Sequence, residues 1–582
     1  MSFKEQQNDE LSFKSFFIPF TRVKAIHYIV IIGLIVYGNG LVNPFIGDDF
    51  LQITSNSLVH SLSNIITLFF GSTFYNGTTD VGVYFKPLLS TSFALIYSIF
   101  GNTPFWFHLF QLILHIINTV IVYVVLRYFL KNTTSFFLSL IFLVHPINSQ
   151  SVFYISGLQE PLFFFFGILS FWLILRFKTK YIPFTAFLLM LSLFSKEAGV
   201  LFFLLIILYF ILYHKRYFLK FFIFSSFSLI IYFLLRFHAV GLIKNPHVTP
   251  INDLNLFERI LNIPSILFFY IERFIYPMKL TFTNNWAYST VTFNNFILPL
   301  IVVLVVIFIF IVTGTFIKQK SSKNYFTNYI FFTVFLVIGL SLYMQFFSLD
   351  MITSERWFYF PIVGLLGMIG TAYESLFKKI NKKVLILIVL IIIFLFSIRT
   401  IKSSFDWRDS RGIYYKDLAY NQDNYIAKIN IAMFLYREGR YNEAEQFVNQ
   451  SINRYPRVIS YNLLGLIYFE KNDYKRAKEA YSHALKLGQS RQLYESIAQL
   501  GIFYDDSNNI QIIKKGLVLY PNDVYLWKFL AILYYREGKF DEARNAIEKA
   551  YQLDPNDQVA LIREALINKK GLKIDHHNVS LE

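Results

Sequence analysis

The stretch KVLILIVLIIIFLFSIRT, residues 383–400, separates two parts of this chain that differ in character. It is apolar up to Arg399 and long enough to cross the hydrocarbon core of a bilayer, which takes roughly 20 residues. Upstream of it the chain is a succession of similar apolar segments, and downstream it is polar. The sequence therefore predicts a membrane-embedded part followed by a soluble tail.

Composition supports this division. The 582 residues are 55% hydrophobic and 19% aromatic, which is more apolar than a soluble domain. Residues 401–582 contain 26 Lys and Arg against 23 Asp and Glu, so residues 1–400 carry +14 of the net charge of +17. Because these basic residues lie between apolar segments, they indicate cytoplasmic loops and not a nucleic-acid-binding surface. The absence of cysteine excludes disulfides and thiolate chemistry.

The apolar segments predict about eleven membrane spans. They run over residues 24–42, 105–129, 134–150, 159–177, 181–195, 198–213, 217–236, 294–317, 326–348, 357–374 and 383–400. Two more apolar stretches, 84–101 and 263–278, are predicted to be interfacial or re-entrant helices, since a full span at 84–101 would place the next three basic clusters outside. No cleavage-site pattern precedes the first span, which we expect to remain as an anchor. With the N-terminus inside, residues 401–582 lie outside.

The tail contains an internal repeat. GRYNEA (439–444), NDYKRA (472–477) and GKFDEA (538–543) share one pattern, and their alanines lie 33 and then 66 residues apart, so a degenerate copy is expected between the last two. Small residues where two helices cross are typical of tetratricopeptide repeats. Such arrays present a concave surface for peptides or proteins, although packing alone would also account for these residues.

Together these patterns predict an all-α fold, with a polytopic membrane part and a C-terminal tetratricopeptide-repeat α-solenoid. The predicted divisions are a cytoplasmic segment at 1–23, a membrane domain at 24–400, a connector at 401–423, a repeat domain at 424–570 and a tail at 571–582.

Charged and polar side chains from separate loops all fall on the outer side in this topology. They are Asp48, Asp49, Lys86, His145, Glu160, Lys196, Glu197, Arg236, Glu355 and Arg356. Each of them alone is equally well read as an interfacial anchor or a simple ion pair. Their convergence on one side predicts an outward-facing cleft.

A carboxylate and several cations in such a cleft suit one class of reaction. A hydroxyl that attacks an anomeric carbon must lose its proton, and a positioned carboxylate can accept it. A phosphate leaving group needs Arg or Lys nearby. Two alternative interpretations of Asp48 and Asp49 are a divalent-cation site, since carboxylates suit hard metals, and a solvated turn.

The order of the motifs carries a family resemblance. The motifs are GDDF (47–50), KPL (86–88), HLFQLILH (108–115), LVHPINSQSV (143–152), LSLFSKEAG (191–199), Arg236 and SERWFYFPIVG (354–364). This order, with Trp407 and the repeats, resembles the transmembrane-and-tetratricopeptide protein O-mannosyltransferases. Those belong to the GT-C superfamily of polyprenyl-phosphate-sugar-dependent glycosyltransferases. No single motif is specific, but their order over the whole chain is.

The resemblance implies a membrane glycosyltransferase that moves a sugar, mannose in this family, from a polyprenyl phosphate to a hydroxyl group with inversion. It implies that Asp48 or Asp49, with Asp48 favoured, is the catalytic carboxylate. Lys196 and Arg356 become candidates for binding the donor phosphate, with Glu197 and Glu355 as their orienting partners. No cofactor is required and no metal ligand is assigned, although a divalent metal is compatible with the carboxylates. The expected partners are the lipid-linked sugar, membrane lipid and a protein acceptor at the repeats.

The chain departs from the family at two positions. Gln150 stands where an acidic residue often follows the His-Pro motif, and Glu160 is the residue that could compensate for it. Lys86 replaces an Arg, which keeps the charge but loses the bidentate geometry. These changes leave the identity of the sugar and of the acceptor open.

Two other functions compete with protein glycosylation. One is a polysaccharide or lipid-glycan transferase or ligase, and the other is a non-enzymatic membrane scaffold with a tetratricopeptide arm. Few charges lie within the spans, which argues against a transporter. The composition, rich in Phe, Ile, Lys and Asn, favours a bacterial plasma membrane as the location.

Overall fold

The structure is a computed structural model, and it describes residues 21–74, 84–241, 249–377, 381–504, 509–568, 572–574 and 579–581. The chain divides into two compact units. The first ends at Ile413 and the second begins at Tyr414, so the boundary lies within the predicted connector.

The first unit contains helices and loops but no strand among its described residues. Its helices are α1 (Arg22–Tyr37), α2 (Ile65–Phe70), α3 (Pro87–Phe100), α4 (Pro104–Leu126), α5 (Asn132–Val144), α6 (Ser149–Phe153), α7 (Gln159–Phe177), α8 (Ile182–Ser195), α9 (Val200–Tyr213), α10 (Phe218–Val240), α11 (Pro250–Asp253), α12 (Leu256–Leu261), α13 (Ile263–Ile275), α14 (Leu298–Lys320), α15 (Lys323–Ser341), α16 (Pro361–Leu376) and α17 (Lys382–Asp406). Helix α18 (Ser410–Tyr420) crosses the boundary between the units.

Every predicted span contains a helix, but not every helix is long enough to cross a bilayer. Seven helical segments in the described ranges are long and apolar enough to cross a bilayer, or eight if the bent pair α5 and α6 counts as one span. The remaining three predicted spans are the shorter apolar helices α8, α9 and α16, of 14, 14 and 16 residues. The multi-pass architecture is therefore confirmed, and the count of eleven spans stays a prediction.

The third predicted span is broken in the middle. Helix α5 ends at Val144, and the chain resumes after Pro146 at an angle of 48°. Proline has no amide hydrogen and its ring clashes with the preceding turn, so a helix bends or ends there. His145 stabilises the break, because its Nδ1 accepts a hydrogen bond from the backbone N–H of Ile147 at 3.2 Å.

The two ambiguous apolar stretches form short helices. Helix α3 has 14 residues and α13 has 13. At about 1.5 Å per residue each extends about 20 Å, less than the roughly 30 Å of a hydrocarbon core. Their length fits an interfacial or re-entrant helix, and their position in the membrane stays a prediction.

Helix α7 lies at the centre of the first unit. In the apolar stretch that contains α7, 78% of the residues are buried, against 11% in that of α14 and 17% in that of α17. Phe163 and Phe164 on α7 are fully buried in an aromatic core. Helices α14 and α17 therefore expose apolar surface that suits contact with lipid.

The second unit consists of paired helices. They are α19 (Tyr425–Arg437), α20 (Tyr441–Arg454), α21 (Val458–Glu470), α22 (Tyr474–Leu487), α23 (Arg491–Phe503), α24 (Asn509–Leu519), α25 (Val524–Arg536), α26 (Phe540–Leu553) and α27 (Asp557–Asn568). Two three-residue strands, β1 (Leu572–Ile574) and β2 (Val579–Leu581), pair antiparallel after them. They are the one exception to the all-α fold in the described ranges.

Local chemistry explains the repeated motif. The first residue of each copy, Gly439, Asn472 or Gly538, has a positive φ of 73°, 60° or 73° and ends the first helix of its pair. Glycine and asparagine tolerate this left-handed conformation. The final alanines, Ala444, Ala477 and Ala543, are at most 1% exposed where the paired helices cross.

The predicted degenerate copy is the pair α23 and α24. A Cβ atom on Gly516 would lie 2.9 Å from the Tyr494 ring. Gly516 therefore supplies the small residue at this crossing, and the tetratricopeptide interpretation of the fold is confirmed.

Candidate active site

The GDDF segment is a tight turn after α1. Gly47 has a φ of +59°, in the left-handed region that favours glycine. A Cβ atom there would lie 3.3 Å from Phe282 Cζ and 3.5 Å from the Tyr154 hydroxyl. The turn therefore needs glycine both for its backbone and for its close approach to these two rings.

Asp49 holds the turn in place. Its Oδ1 accepts hydrogen bonds from the backbone N–H of Ser156 at 2.7 Å and from the Ser156 hydroxyl at 2.5 Å, and its Oδ2 accepts one from the Ile46 N–H at 2.9 Å. The side chain is buried. Burial raises the pKa of Asp49 to about 7, although these hydrogen bonds favour the charged form. Both oxygens are occupied, so Asp49 is suited to a structural role.

Asp48 points the other way and stays exposed in a recess of the protein surface. Its backbone N–H donates to the Tyr154 hydroxyl at 3.2 Å, and that hydroxyl also hydrogen-bonds its carboxylate. Desolvation by the surrounding protein raises the pKa of Asp48, while Tyr154, Arg356 and Lys86 oppose that rise. Of the two carboxylates, Asp48 is the one that an incoming hydroxyl group can reach.

Three cations lie around the same recess. They are Lys86, Lys196 and Arg356, and together they form what we call the basic cluster. The positive charges of Lys86 and Arg356 lower the pKa of both Asp48 and Lys196, so the four groups share one site. Lys86 and Lys196 are each only 8% exposed. The Lys86 ammonium lies 4.2 Å from the centre of the Tyr84 ring, and the Arg356 guanidinium 5.8 Å from that of Tyr154.

Glu160 connects two members of the basic cluster. Its Oε1 lies 2.5 Å from Lys196 Nζ and 3.9 Å from Arg356 Nε. Glu160 is 1% exposed, and its Oε2 finds no hydrogen-bond partner among the described residues. Burial lowers the pKa of Lys196, and the Glu160 carboxylate offsets that effect. One buried carboxylate therefore positions both cations.

The expected pairing of Lys196 with Glu197 and of Arg356 with Glu355 is wrong. Glu355 instead lies 3.7 Å from Arg273 Nε, and its Oε1 accepts hydrogen bonds from the backbone N–H and hydroxyl of Thr281. Burial raises the pKa of Glu355, and Arg273 opposes that rise.

Glu197 and Arg236 lie on another part of the wall. Arg236 and Glu197 are each close enough to Tyr232 to interact with it electrostatically, and Glu197 also acts on Tyr84. The structure therefore brings both near the basic cluster, but not into direct contact with Asp48.

His145 lies outside this cluster. Its Nε2 donates to the Phe274 carbonyl at 3.0 Å, and its ring stacks on the Phe274 ring. With Nδ1 bonded to the Ile147 N–H, both ring nitrogens are occupied. The structure thus gives His145 a role in fixing the break between α5 and α6 and no contact with the candidate site.

His115 links neighbouring elements of the membrane unit. Its Nδ1 hydrogen-bonds the Tyr359 hydroxyl at 2.7 Å, and its Nε2 the Leu143 carbonyl at 3.0 Å.

Several site residues have no distinctive sequence signal. Tyr154 contacts Asp48, and its ring stacks on Trp407 with centroids 5.7 Å apart. Tyr84 hydrogen-bonds Asp350, and the negative charge of Asp350 raises the pKa of Asp48. Single tyrosines in a chain with 39 of them do not stand out.

Gln150, the departure from the family pattern, has a definite place. Its Oε1 accepts hydrogen bonds from the Ser354 hydroxyl at 2.9 Å and from the Arg356 N–H at 3.3 Å. It therefore helps to fix the backbone that carries Arg356, while Glu160 supplies the negative charge.

The described residues contain no group of three or more His, Cys, Asp or Glu side chains placed to hold a metal ion. The site has an accessible carboxylate and a set of partly neutralised cations. Such a set can accept a proton and stabilise a leaving phosphate.

Comparisons with known proteins agree with this architecture. Tetratricopeptide-repeat family models match residues 424–490 and 524–557. The human protein O-mannosyl-transferase TMTC3 is 22% identical over 589 residues, covering 91% of this chain and 64% of the human protein. The predicted family resemblance is confirmed.

A second relative, the Caenorhabditis elegans protein O-mannosyl-transferase F38B6.6, is 23% identical over 72% of this chain and 61% of its own length. Mouse protein O-mannosyl-transferase TMTC1 is 30% identical over 23% of this chain and 15% of its own. The chain thus spans less than two thirds of the length of these transmembrane-and-tetratricopeptide relatives.

Proposed function

We propose that this protein is a membrane glycosyltransferase of GT-C type that transfers a sugar from a polyprenyl phosphate to a hydroxyl group on a protein. One observation carries the proposal: the exposed carboxylate of Asp48 shares a recess with three cations. A displacement at a sugar carbon with a phosphate leaving group needs this combination.

In the proposed reaction the acceptor hydroxyl oxygen attacks C1 of the sugar. Asp48 takes the hydroxyl proton as the new C–O bond forms. The bond between C1 and the phosphate oxygen breaks, and its electron pair leaves with the polyprenyl phosphate. A single displacement inverts the configuration at C1, and the proton remains on Asp48 until it exchanges with solvent.

The basic cluster stabilises the charge that develops on the phosphate. Glu160 holds Lys196 and Arg356 in fixed positions, so little reorganisation is needed when that charge appears. It also neutralises one positive charge. This leaves a site suited to a phosphate group with few negative charges, such as a phosphodiester.

The donor sugar and the acceptor are proposed from the relatives. Those relatives are named protein O-mannosyl-transferases, which supports mannose as the sugar and protein as the acceptor. Tetratricopeptide arrays commonly bind peptides, which supports capture of the acceptor by the second unit. The basic loops support an extracytoplasmic location for the recess, by the positive-inside rule.

Transfer from radiolabelled polyprenyl-phosphate mannose to a membrane-protein extract tests the proposal. Purified wild type, Asp48→Asn and Asp49→Asn are compared in lipid, with and without chelator, and the anomeric configuration of the product is determined. We expect inverted product from wild type, loss of transfer in Asp48→Asn and no effect of chelator. No transfer from any polyprenyl-phosphate sugar would reject the proposal and favour a scaffold.

A further inference from the structure

The loop that follows α13 forms part of the wall beside Asp48. Its Phe282 ring packs edge-on against the Tyr154 and Trp407 rings, with centroids 5.1 and 5.4 Å away. Thr281, one residue earlier, bonds Glu355 through its N–H and its hydroxyl at 2.9 and 3.1 Å. The loop is thus held both beside the carboxylate and next to the segment that carries Arg356.

Two asparagines in the middle of this loop are buried and carry unpaired polar atoms. Asn284 and Asn285 are 8% and 5% exposed. The Asn284 side-chain oxygen accepts a hydrogen bond from the Thr281 hydroxyl at 2.9 Å. The Asn284 Nδ2, and both Nδ2 and Oδ1 of Asn285, find no partner in the described part of the chain. Buried polar groups are nearly always paired in native proteins, so three such atoms on two adjacent side chains beside the recess make this a candidate ligand site.

A neighbouring asparagine shows what a structural role looks like here. Asn262 donates to the carbonyls of Glu258 and Tyr288 at 2.8 and 2.9 Å, and accepts from the Tyr288 N–H at 3.0 Å. Its carboxamide is fully used in holding the loop. Asn285 differs from it in having no such bond, although it is also buried.

We propose that Asn284 and Asn285 bind hydroxyl groups of the transferred sugar. A carboxamide offers a donor and an acceptor in one plane, which matches neighbouring hydroxyls that can do both. It is neutral, as a hexose ring is. In a direct displacement the ring lies between the attacking hydroxyl, at Asp48, and the leaving phosphate, at the basic cluster. The loop is anchored next to Asp48, through Phe282, and next to the segment that carries Arg356, through Thr281. This assignment rests on the proposed function.

The stability of leucine variants gives the first test. Leucine has about the shape of asparagine, and replacing unpaired buried polar atoms by apolar ones is neutral or stabilising. Asn285→Leu should therefore keep or raise the melting temperature, whereas the matched control Asn262→Leu should lower it. An equal loss in the two variants would mean that Asn285 is a paired structural residue and would overturn the proposal.

Deoxygenated donors give the second test. Polyprenyl-phosphate mannose and its four monodeoxy analogues are compared by kcat/KM in wild type, Asn285→Leu and the surface control Asn255→Ser. We expect wild type to discriminate against at least one deoxy sugar by about tenfold per lost hydrogen bond. Asn285→Leu should lose that discrimination and Asn255→Ser should keep it. Unchanged discrimination in Asn285→Leu, with or without a higher KM for the acceptor, would overturn the assignment.

Binding separates this inference from the proposed function. Quenching of tryptophan fluorescence by a short-chain prenyl phosphomannose reports donor affinity without turnover. If wild type binds this donor about tenfold or more tightly than Asn285→Leu does, but transfers no sugar, the subsite is supported and the transferase function is rejected. Equal binding by wild type and variant would reject the subsite whether or not transfer occurs.

Discussion

Replacing Asp49 by Asn should destabilise the membrane unit and leave its chemistry largely intact. The Asp49 carboxylate accepts two hydrogen bonds from Ser156 and one from the Ile46 N–H. An amide keeps its oxygen for Ser156, but its NH₂ group then faces the buried Ile46 N–H, donor against donor. A buried donor without an acceptor costs about 1–3 kcal/mol. We therefore expect the free energy of unfolding to fall by about that amount.

Thermal unfolding and turnover of three variants in lipid measure this. Ser156→Ala removes only the hydroxyl bond and should destabilise less than Asp49→Asn. Asp48→Asn changes an exposed side chain, so it should unfold like wild type but lose about 100-fold or more in turnover, as expected for a general base. If Asp49→Asn unfolds like wild type and loses turnover as Asp48→Asn does, the two roles have been assigned in reverse.

Three further perturbations follow from the described contacts. Tyr154→Phe removes a hydrogen bond that lowers the pKa of Asp48, so the pKa of Asp48 should rise in this variant. The loss of kcat/KM on acidification should then begin at a higher pH than in wild type, and an unchanged pH profile would contradict this contact. Lys196→Met leaves Glu160 buried without its 2.5 Å partner and should cost about 3–5 kcal/mol in thermal unfolding, partly recovered by adding Glu160→Gln; wild-type stability would argue against the buried pair. Ala477→Leu overpacks a helix crossing and should cost about 1–3 kcal/mol of repeat stability, measured by circular dichroism of the full chain; an unchanged transition would mean that the crossing is loosely packed.

The features that sequence predicted well are set by local chemistry. Apolar segments long enough to span a bilayer form helices, although the break at Pro146 inside the predicted span 134–150 was not predicted. In the repeats, Gly439 and Asn472 adopt the left-handed conformation that ends a helix, and Ala477 is buried where two helices meet. Each of these signals depends on a few neighbouring residues, so each can be read from the chain alone.

The ion pairs of the site were not predictable from adjacency. Lys196 is extended, with φ −165° and ψ 144°, so its side chain and that of Glu197 diverge. Its partner, Glu160, lies on α7, 36 residues earlier in the chain. Neighbours in sequence seldom face each other, and the true pairing depends on how helices pack.

Tyr154, Asn284 and Asn285 were missed for a different reason. The chain is rich in tyrosine and asparagine, so no pattern marks these positions. What distinguishes them is their surroundings: a hydrogen bond to Asp48 in the first case, and buried unpaired amides in the other two. Both properties appear only once the chain is folded.

The central claim is that Asp48 acts in the chemical step and not in holding the donor. Single-turnover transfer from bound radiolabelled polyprenyl-phosphate mannose, measured beside the donor dissociation constant, tests it most directly. We predict that Asp48→Asn binds the donor as tightly as wild type and transfers its sugar about 100-fold more slowly or worse. Transfer at the wild-type rate, or a loss explained entirely by weaker donor binding, would contradict the claim.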